Sequence, residues 1–217
     1  MPERKEGVIF DLDGVLCSTD EYHYRAWKSL ADSLGISFDR TVNCRLRGVS
    51  REDSLEIILE NAQKRYSEEE KRQMCEKKNM LYRSFLAELS EKDLAPDAKE
   101  TLNELRGIGV KIAIGSSSKN ATFILQRLGI YDLFDAVVDG NCISRSKPDP
   151  EVFLRAAQFL GLPSERCAVV EDSHAGIDAA KAGGFFSVAI GDACSHPFSD
   201  YRLNRLSDIL QLYYNNV

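Results

Sequence analysis

The amino-acid sequence predicts an α/β fold: a doubly wound, Rossmann-like parallel sheet whose first strand is followed by an inserted α-helical cap domain. Three observations carry the prediction. An apolar, β-favouring run, Val8-Ile9-Phe10, stands near the N-terminus, and a long stretch of helical periodicity without a clear strand comes after it. From Pro96 onward, short β-rich runs alternate with helical segments of about ten residues, the pattern of a parallel sheet. Three of the expected strands lead into polar clusters, DLDG, GSSSKN and EDS.

Each element follows from a local signal. The first strand ends at Asp11, and Gly14 permits a sharp turn away from it. The helical stretch runs from Ser18 to Leu89. Ser18 with Glu21 three residues on resembles a capping box; Ala26, Trp27, Leu30, Ala31 and Leu34 recur at helical spacing, and Gly35 ends the helix. Ser50 followed by Asp53 starts a second helix with the apolar face Leu55, Ile58, Leu59 and Ala62. SEEEKRQMCEKKNMLYRSFLAEL is a third, highly charged helix. Beyond Pro96, a helix around Lys99–Arg106 precedes the strand VKIAI, which opens into GSSSKN; a helix ending at Gly129 and a short strand at Ala136–Val138 follow. SKPDP starts a helix that ends at Gly161, and the strand CAVV runs into EDSHAG and a helix ending near Gly183. FFSVAI is the last strand of the core, and the tail RLSDILQLYY is weakly helical. The expected domains are a discontinuous α/β core, residues 1–17 and 93–217, and a helical domain, residues 18–92.

The chain has 217 residues, enough for one domain or one and a half. At 43% hydrophobic and 29% charged, it suits a soluble globular protein with a true core. A formal net charge of −6 argues against general binding to nucleic acid or a membrane surface, which needs an excess of base. No apolar run approaches the roughly 20 residues that span a bilayer. The cysteines, Cys17, Cys44, Cys75, Cys142, Cys167 and Cys194, form no CxxC pair and have only three histidines for company, which argues against zinc. With no signal peptide, reduced cysteines in a cytoplasmic protein are expected, acting as buried small hydrophobes. Nothing in the composition demands more than a monomer.

In a doubly wound sheet, ligands bind beyond the carboxyl ends of the strands, so DLDG, GSSSKN, EDS and Lys147 are expected to converge on one edge. Asp11 and Asp13, two apart in a strand, point to the same side, where their charges repel. A divalent cation relieves that repulsion, and Asp11, Asp13, Glu171 and Asp172 are hard oxygen donors suited to Mg²⁺. These residue types suit phosphoryl transfer. Asp11 can act as nucleophile and carry the phosphoryl group as an aspartyl-phosphate. Asp13 can deliver or remove the proton at the departing or attacking oxygen. Ser116 and Lys147 offer a hydroxyl donor and a fixed positive charge to the phosphoryl oxygens. Arg51 follows the N-cap Ser50, so it stands in the first turn of a helix, where a cation opposes the dipole by roughly 0.3–1 kcal/mol. An anion bound there reverses the penalty and uses the free backbone N–H groups.

DLDGV, the SSS after a strand, SKPDP and EDSHAGI stand in order and on the expected elements, and together they resemble the four motifs of the haloacid dehalogenase superfamily of phosphotransferases. The helical insertion after the first motif is similar to that superfamily's small α-helical cap. DEYHYRAW, RGVSREDSL and SSSKN resemble its phosphosugar mutases in particular. That resemblance implies interconversion of β-glucose 1-phosphate and glucose 6-phosphate through a β-glucose 1,6-bisphosphate, with Asp11 the phosphorylated nucleophile and Asp13 the general acid and base. It also implies that Thr19 matches the hinge between core and cap, and His23 a cap residue near Asp13. Arg51 would bind the phosphate not being transferred, with Ser118, Lys119 and Asn120 facing it from the core, and Lys78 would match a cap lysine facing the sugar. Ser18 departs from the pattern, since related proteins often carry an acidic residue there.

Two other functions compete. A sugar-phosphate or phosphoglycolate-type phosphatase would use the same core with water as acceptor, whereas a non-enzymatic binding protein is disfavoured by the intact Asp11, Asp13, Lys147 and Asp172. Lys78 stands in a charge run, which is usually a solvated face; His174 and His196 read as structural or exposed, and Trp27 as packing. The expected partners are a small sugar phosphate and its bisphosphate, with no nucleic acid and no membrane, and the expected cofactor is Mg²⁺.

Overall fold

The computed structural model describes residues 5–46 and 50–214. Arg47, Gly48 and Val49, which open the RGVSREDSL stretch, lie outside the described residues. The chain divides into two compact units, Thr19–Leu89 and the flanking segments Met1–Ser18 and Ser90–Val217.

The flanking segments build a six-stranded sheet. Its strands are β1 (Gly7–Phe10), β2 (Lys111–Gly115), β3 (Ala136–Val138), β4 (Cys167–Glu171), β5 (Phe186–Ala189) and β6 (Tyr201–Arg202). They pair in parallel in the order β3-β2-β1-β4-β5-β6. Strands β1 and β4 are buried along their whole length, which is why they read as unbroken apolar runs and not as alternation. The chain order reverses between β1 and β4, and such a switch point leaves a crevice at the carboxyl edge. Phe10 is level with Ile114 on one side and Val170 on the other, so the next residues outward are Asp11, Gly115 and Glu171.

The helical unit contains α1 (Asp20–Ser33), α2 (Arg40–Cys44), α3 (Arg51–Leu59) and α4 (Glu68–Leu86). Trp27, Leu30, Phe38, Leu55 and Ile58 form its core. Ser67 and Glu70 make a capping box at the start of α4, and Ser50 Oγ accepts from Asp53 N at the start of α3. In the sheet unit, α5 (Ala98–Gly107), α6 (Ala121–Arg127), α7 (Glu151–Leu160), α8 (His174–Ala182) and α9 (Gln211–Tyr214) complete the fold. Phe153 and Ala156 of α7 pack with Ile9, Ala113, Val169 and Phe185. Among the described residues, no helix is long and apolar enough to cross a membrane.

Three expectations need correction, and one helix was not foreseen. Helix α1 starts one residue later than a Ser18 cap would place it: Thr19 is the N-cap, its side chain makes no capping hydrogen bond, and its Oγ1 accepts from Tyr82 Oη. FFSVAI is not the last strand, since β6 adds two residues outside it, too few for a periodic signal. Helix α2, five residues capped by Asp39, is likewise too short to announce itself. All six cysteines are free, but only Cys17, Cys75 and Cys167 are buried; Cys44 and Cys142 are exposed and Cys194 is half-buried.

Candidate active site

Asp11 leaves β1 with its amide still in the sheet, donating to Val170 O at 3.0 Å. Leu12 is fully buried between Asp11 and Asp13, and the chain then turns at Gly14, whose φ of 81° is the left-handed conformation that glycine adopts without strain. Gly14 N donates to Cys17 O at 2.7 Å to close that turn. Asp13 is half-buried and pairs with Cys17 as an isolated bridge. Burial, then the charges of Asp13, Asp11 and Asp93, push the Cys17 thiol far up, so it stays protonated and inert.

Lys147, joined to Pro148 by a cis peptide bond, reaches the same edge from the connection between β3 and α7. Its ammonium forms ion pairs with both Asp11 Oδ1 and Glu171 Oε1, and it lies over the Phe153 ring, 4.8 Å from the centroid. Burial alone would lower the pKa of this lysine; the Asp11 and Glu171 carboxylates overcome that and hold it above its ordinary value, fully charged. Burial raises the Asp11 carboxyl well above the usual carboxylate range; Lys147 opposes the rise, and Glu171 and Asp172 add to it. The segment leading to Lys147 is fixed by Glu151, which accepts from Ser144 N and Oγ and from Arg145 N; chiefly the Ser144 hydroxyl draws its carboxyl down to about 2.

Glu171 uses both oxygens on the protein: Oε1 on Lys147, and Oε2 on Ser173 N at 3.0 Å and Ser173 Oγ at 2.9 Å. Two motif glycines make room for the acids. A Cβ at Gly14 would overlap the Asp172 carboxylate, and a Cβ at Gly176, in the first turn of α8, would overlap the carboxylate of Glu171. Among the described residues, no group of three or more His, Cys, Asp or Glu side chains has the arrangement of a metal site. The donor chemistry nevertheless fits Mg²⁺ in part. Asp11 and Asp172 are hard oxygen donors whose mutual repulsion contributes to the rise at Asp11. Glu171, spent on Lys147 and Ser173, is placed as a holder of the lysine.

The loop after β2 carries the hydroxyls. Ser116 N continues the sheet, donating to Val138 O, and buried Ser116 Oγ accepts from Ser118 N at 3.2 Å. Ser118 Oγ accepts from Asn120 N, and buried Asn120 is the N-cap of α6. Lys119 is exposed, and its carbonyl accepts from Asn141 Nδ2 at 3.0 Å. Ser117 Oγ, between these residues, is buried without a hydrogen-bond partner among the described residues.

The helical unit holds the other residues singled out from the sequence. Thr19 is fully buried at the start of α1, and His23 lies one turn on, its N–H donating to Thr19 O. Lys78 of α4 is buried, not on a solvated face, and its Nζ is 2.9 Å from His23 Nδ1. Arg51 is the first residue of α3. Burial, then the positive charges of Lys78 and Arg51, hold the His23 pKa well below its ordinary value, so the imidazole is neutral between two cations. Trp27 and Tyr82, not marked by the sequence reading as site residues, flank Lys78. Spacing could have found them: Thr19, His23 and Trp27 recur every four residues on α1, and Lys78 and Tyr82 are four apart on α4. His174 Nε2 meets Ser195 Oγ and His196 Nε2 meets Asp178, both local contacts of the sheet unit.

Residues 5–184 match the family model of the haloacid dehalogenase-like hydrolases. The chain belongs to this family. Within the family it is 42% identical to β-phosphoglucomutase of Bacillus subtilis, across 94% of this chain and 91% of that one. It is 32% identical to the phosphorylated carbohydrates phosphatase of Thermotoga maritima, across 82% of each. The crystal structure of β-phosphoglucomutase from Clostridium difficile superimposes with a TM-score of 0.89 at 37% identity, covering 98% of both chains.

Two predictions follow from the packing of this haloacid dehalogenase-like site. Gly176→Ala would favour an isolated helix by about 1 kcal/mol, yet here the new methyl displaces the Glu171 carboxylate and with it Lys147. Phosphoryl-transfer turnover is therefore expected to fall sharply while the far-UV circular dichroism is kept; undiminished turnover would show that Glu171 does not position Lys147. Ser117→Ala removes a buried, unpartnered hydroxyl and is expected to stabilise the free protein by about 1 kcal/mol, read by denaturant unfolding in phosphate-free buffer. A lower unfolding midpoint would contradict this.

Proposed function

We propose that the protein is a Mg²⁺-dependent phosphosugar mutase that interconverts β-D-glucose 1-phosphate and D-glucose 6-phosphate through an aspartyl-phosphate and β-glucose 1,6-bisphosphate. The observation that carries the mutase reading is the 42% identity to a β-phosphoglucomutase along 94% of the chain. The core geometry supports the phosphoryl transfer itself. A carboxylate, Asp11, stands at the switch point of the sheet with a buried ammonium in contact.

In this reading, Asp11 attacks the phosphorus of a bisphosphate. An O–P bond forms at its carboxylate while the bond from phosphorus to the sugar oxygen breaks, and Asp13 supplies the proton that the departing oxygen takes up. In the other half-reaction, the free 6-hydroxyl of a glucose 1-phosphate attacks the aspartyl-phosphate, gives its proton to Asp13, and forms the bisphosphate as the bond from phosphorus to Asp11 breaks. Lys147 and the Ser116 hydroxyl meet the charge that grows on the phosphoryl oxygens. Asp11 and Asp172, with Asp13, would hold Mg²⁺, which would supply positive charge to offset the carboxylate repulsion and the phosphoryl charge. Arg51 and Lys78, with Ser118, Lys119 and Asn120, recognise the phosphate not being transferred and the sugar, Thr19 marks the junction between the sheet and helical domains, and the helical domain serves as the cap. The substrate is a small sugar phosphate, and the protein acts as a monomer in the cytoplasm, where its free cysteines stay reduced.

The 32% identity to a phosphatase of phosphorylated carbohydrates favours a second reading, in which water takes the phosphoryl group from Asp11. One assay separates the two. Purified protein, Mg²⁺, β-glucose 1-phosphate and a trace of the bisphosphate are incubated, and glucose 6-phosphate and free phosphate are read together. The mutase reading expects glucose 6-phosphate in large excess, and Arg51→Ala is expected to lower that ratio several-fold by removing a charge-assisted contact to the second phosphate. Release mainly as free phosphate, in a ratio that Arg51→Ala does not move, would favour the phosphatase.

A further inference from the structure

Three residues of the helical unit, Thr19, His23 and Lys78, share a neighbour. Tyr82 is buried on α4. Its hydroxyl donates to Thr19 Oγ1 at 2.9 Å. Its ring lies against the His23 imidazole, with centroids 4.0 Å apart and planes at 36°. Lys78 Nζ lies 4.6 Å from the centroid of the same ring and 4.7 Å from that of Trp27, so the ammonium is covered by two aromatic faces. An ammonium only donates, so the 2.9 Å contact makes His23 Nδ1 the acceptor and puts the ring proton on Nε2.

We propose that Tyr82 is a positioning residue for the reaction: through its ring it holds Lys78 against His23, and through its hydroxyl it holds Thr19 at the start of α1. Each contact does separate work. The ring replaces water around the ammonium with an attractive π-face, which leaves Lys78 directed at His23 Nδ1. The same ring excludes water from His23 and so keeps the imidazole neutral beside the charges of Lys78 and Arg51. The hydroxyl donates to Thr19 Oγ1 and so ties α4 to the residue at which α1 begins. A residue that only filled space would have the ring contacts and no need of the hydroxyl bond. The kinetic consequence rests on the mutase reading; the state of His23 does not.

Two variants test the proposal. Tyr82→Phe keeps the ring and deletes the bond to Thr19, and Tyr82→Leu deletes the ring. The chain has three histidines, so the His23 tautomer and titration can be followed by long-range ¹H–¹⁵N imidazole NMR. In Tyr82→Leu, the His23 titration is expected to move up toward the ordinary histidine range and the Nε2–H tautomer to lose its dominance; in Tyr82→Phe, both are expected to stay as in the parent. Misplacement of positioning groups costs up to about 10²-fold in rate, and the isomerisation kcat is expected to fall roughly tenfold in Tyr82→Leu and severalfold in Tyr82→Phe. Hydrolysis of acetyl phosphate, which reads the residues of the sheet unit, is expected to be unchanged in both. An unmoved His23 titration and tautomer in folded Tyr82→Leu would overturn the proposal. If Tyr82→Leu does not fold, Tyr82→Phe decides, and an isomerisation kcat equal to the parent's would overturn it. The NMR outcome does not need turnover, so it stands even if the product assay shows only a phosphatase.

Discussion

Between the ends of β1 and β4, the Lys147 ammonium meets the carboxylates of Asp11 and Glu171 with its side chain almost out of water. Any one of these three charges buried alone would be severely destabilising, and removing one partner of such a set typically costs about 3–5 kcal/mol. The grouping is therefore poor value for stability, which a set of well-packed apolar side chains would serve as well. Its sense lies in chemistry. The lysine holds the Asp11 side chain in place at a sheet edge where burial, and then the like charges of Glu171 and Asp172, push against its ionisation.

The surroundings answer to that cluster. The register brings Asp11, Gly115 and Glu171 level, so Asp11, the hydroxyl loop and the acidic pair share an edge without any long-range adjustment. Ser173 takes the second oxygen of Glu171 and caps α8 through Gly176 N, which ties the lysine's holder to a helix terminus. Gly14 and Gly176 carry no side chain because the acid carboxylates fill the space. Within the helical unit, a separate group is positive: Lys78 and Arg51 act on a neutral His23, and aromatic rings take the place of water around the lysine.

The sheet was legible in the sequence because GVIF and CAVV are buried on both faces and so uninterrupted by polar residues, while helix starts such as Ser67 and Ser50 had their partners three residues on. A helix of little more than one turn, or a strand of two residues, is too short to show a period, and α2 and β6 were missed for that reason. Thr19, not Ser18, stands at the N-cap without a capping side-chain bond, and its hydroxyl instead meets a tertiary partner, Tyr82, that local sequence does not show. Local sequence also pointed wrongly at Lys78: a charge run is an exposed face by default, and only the packing of α4 against α1 buries this lysine among aromatic rings. The division of labour between Glu171 and Asp172 was hidden as well, since adjacent acids look alike until one is seen to spend both oxygens on Lys147 and Ser173.

The central claim is that Lys147 makes Asp11 a phosphoryl acceptor. The most direct measurement is rapid-quench phosphorylation of the parent and of Lys147→Met by acetyl phosphate, with the acyl-phosphate site located by peptide mapping. The account predicts that the parent carries the phosphoryl group on Asp11 and that Lys147→Met accumulates none. A group found on another residue, or equal phosphorylation of Asp11 without the lysine, would contradict it.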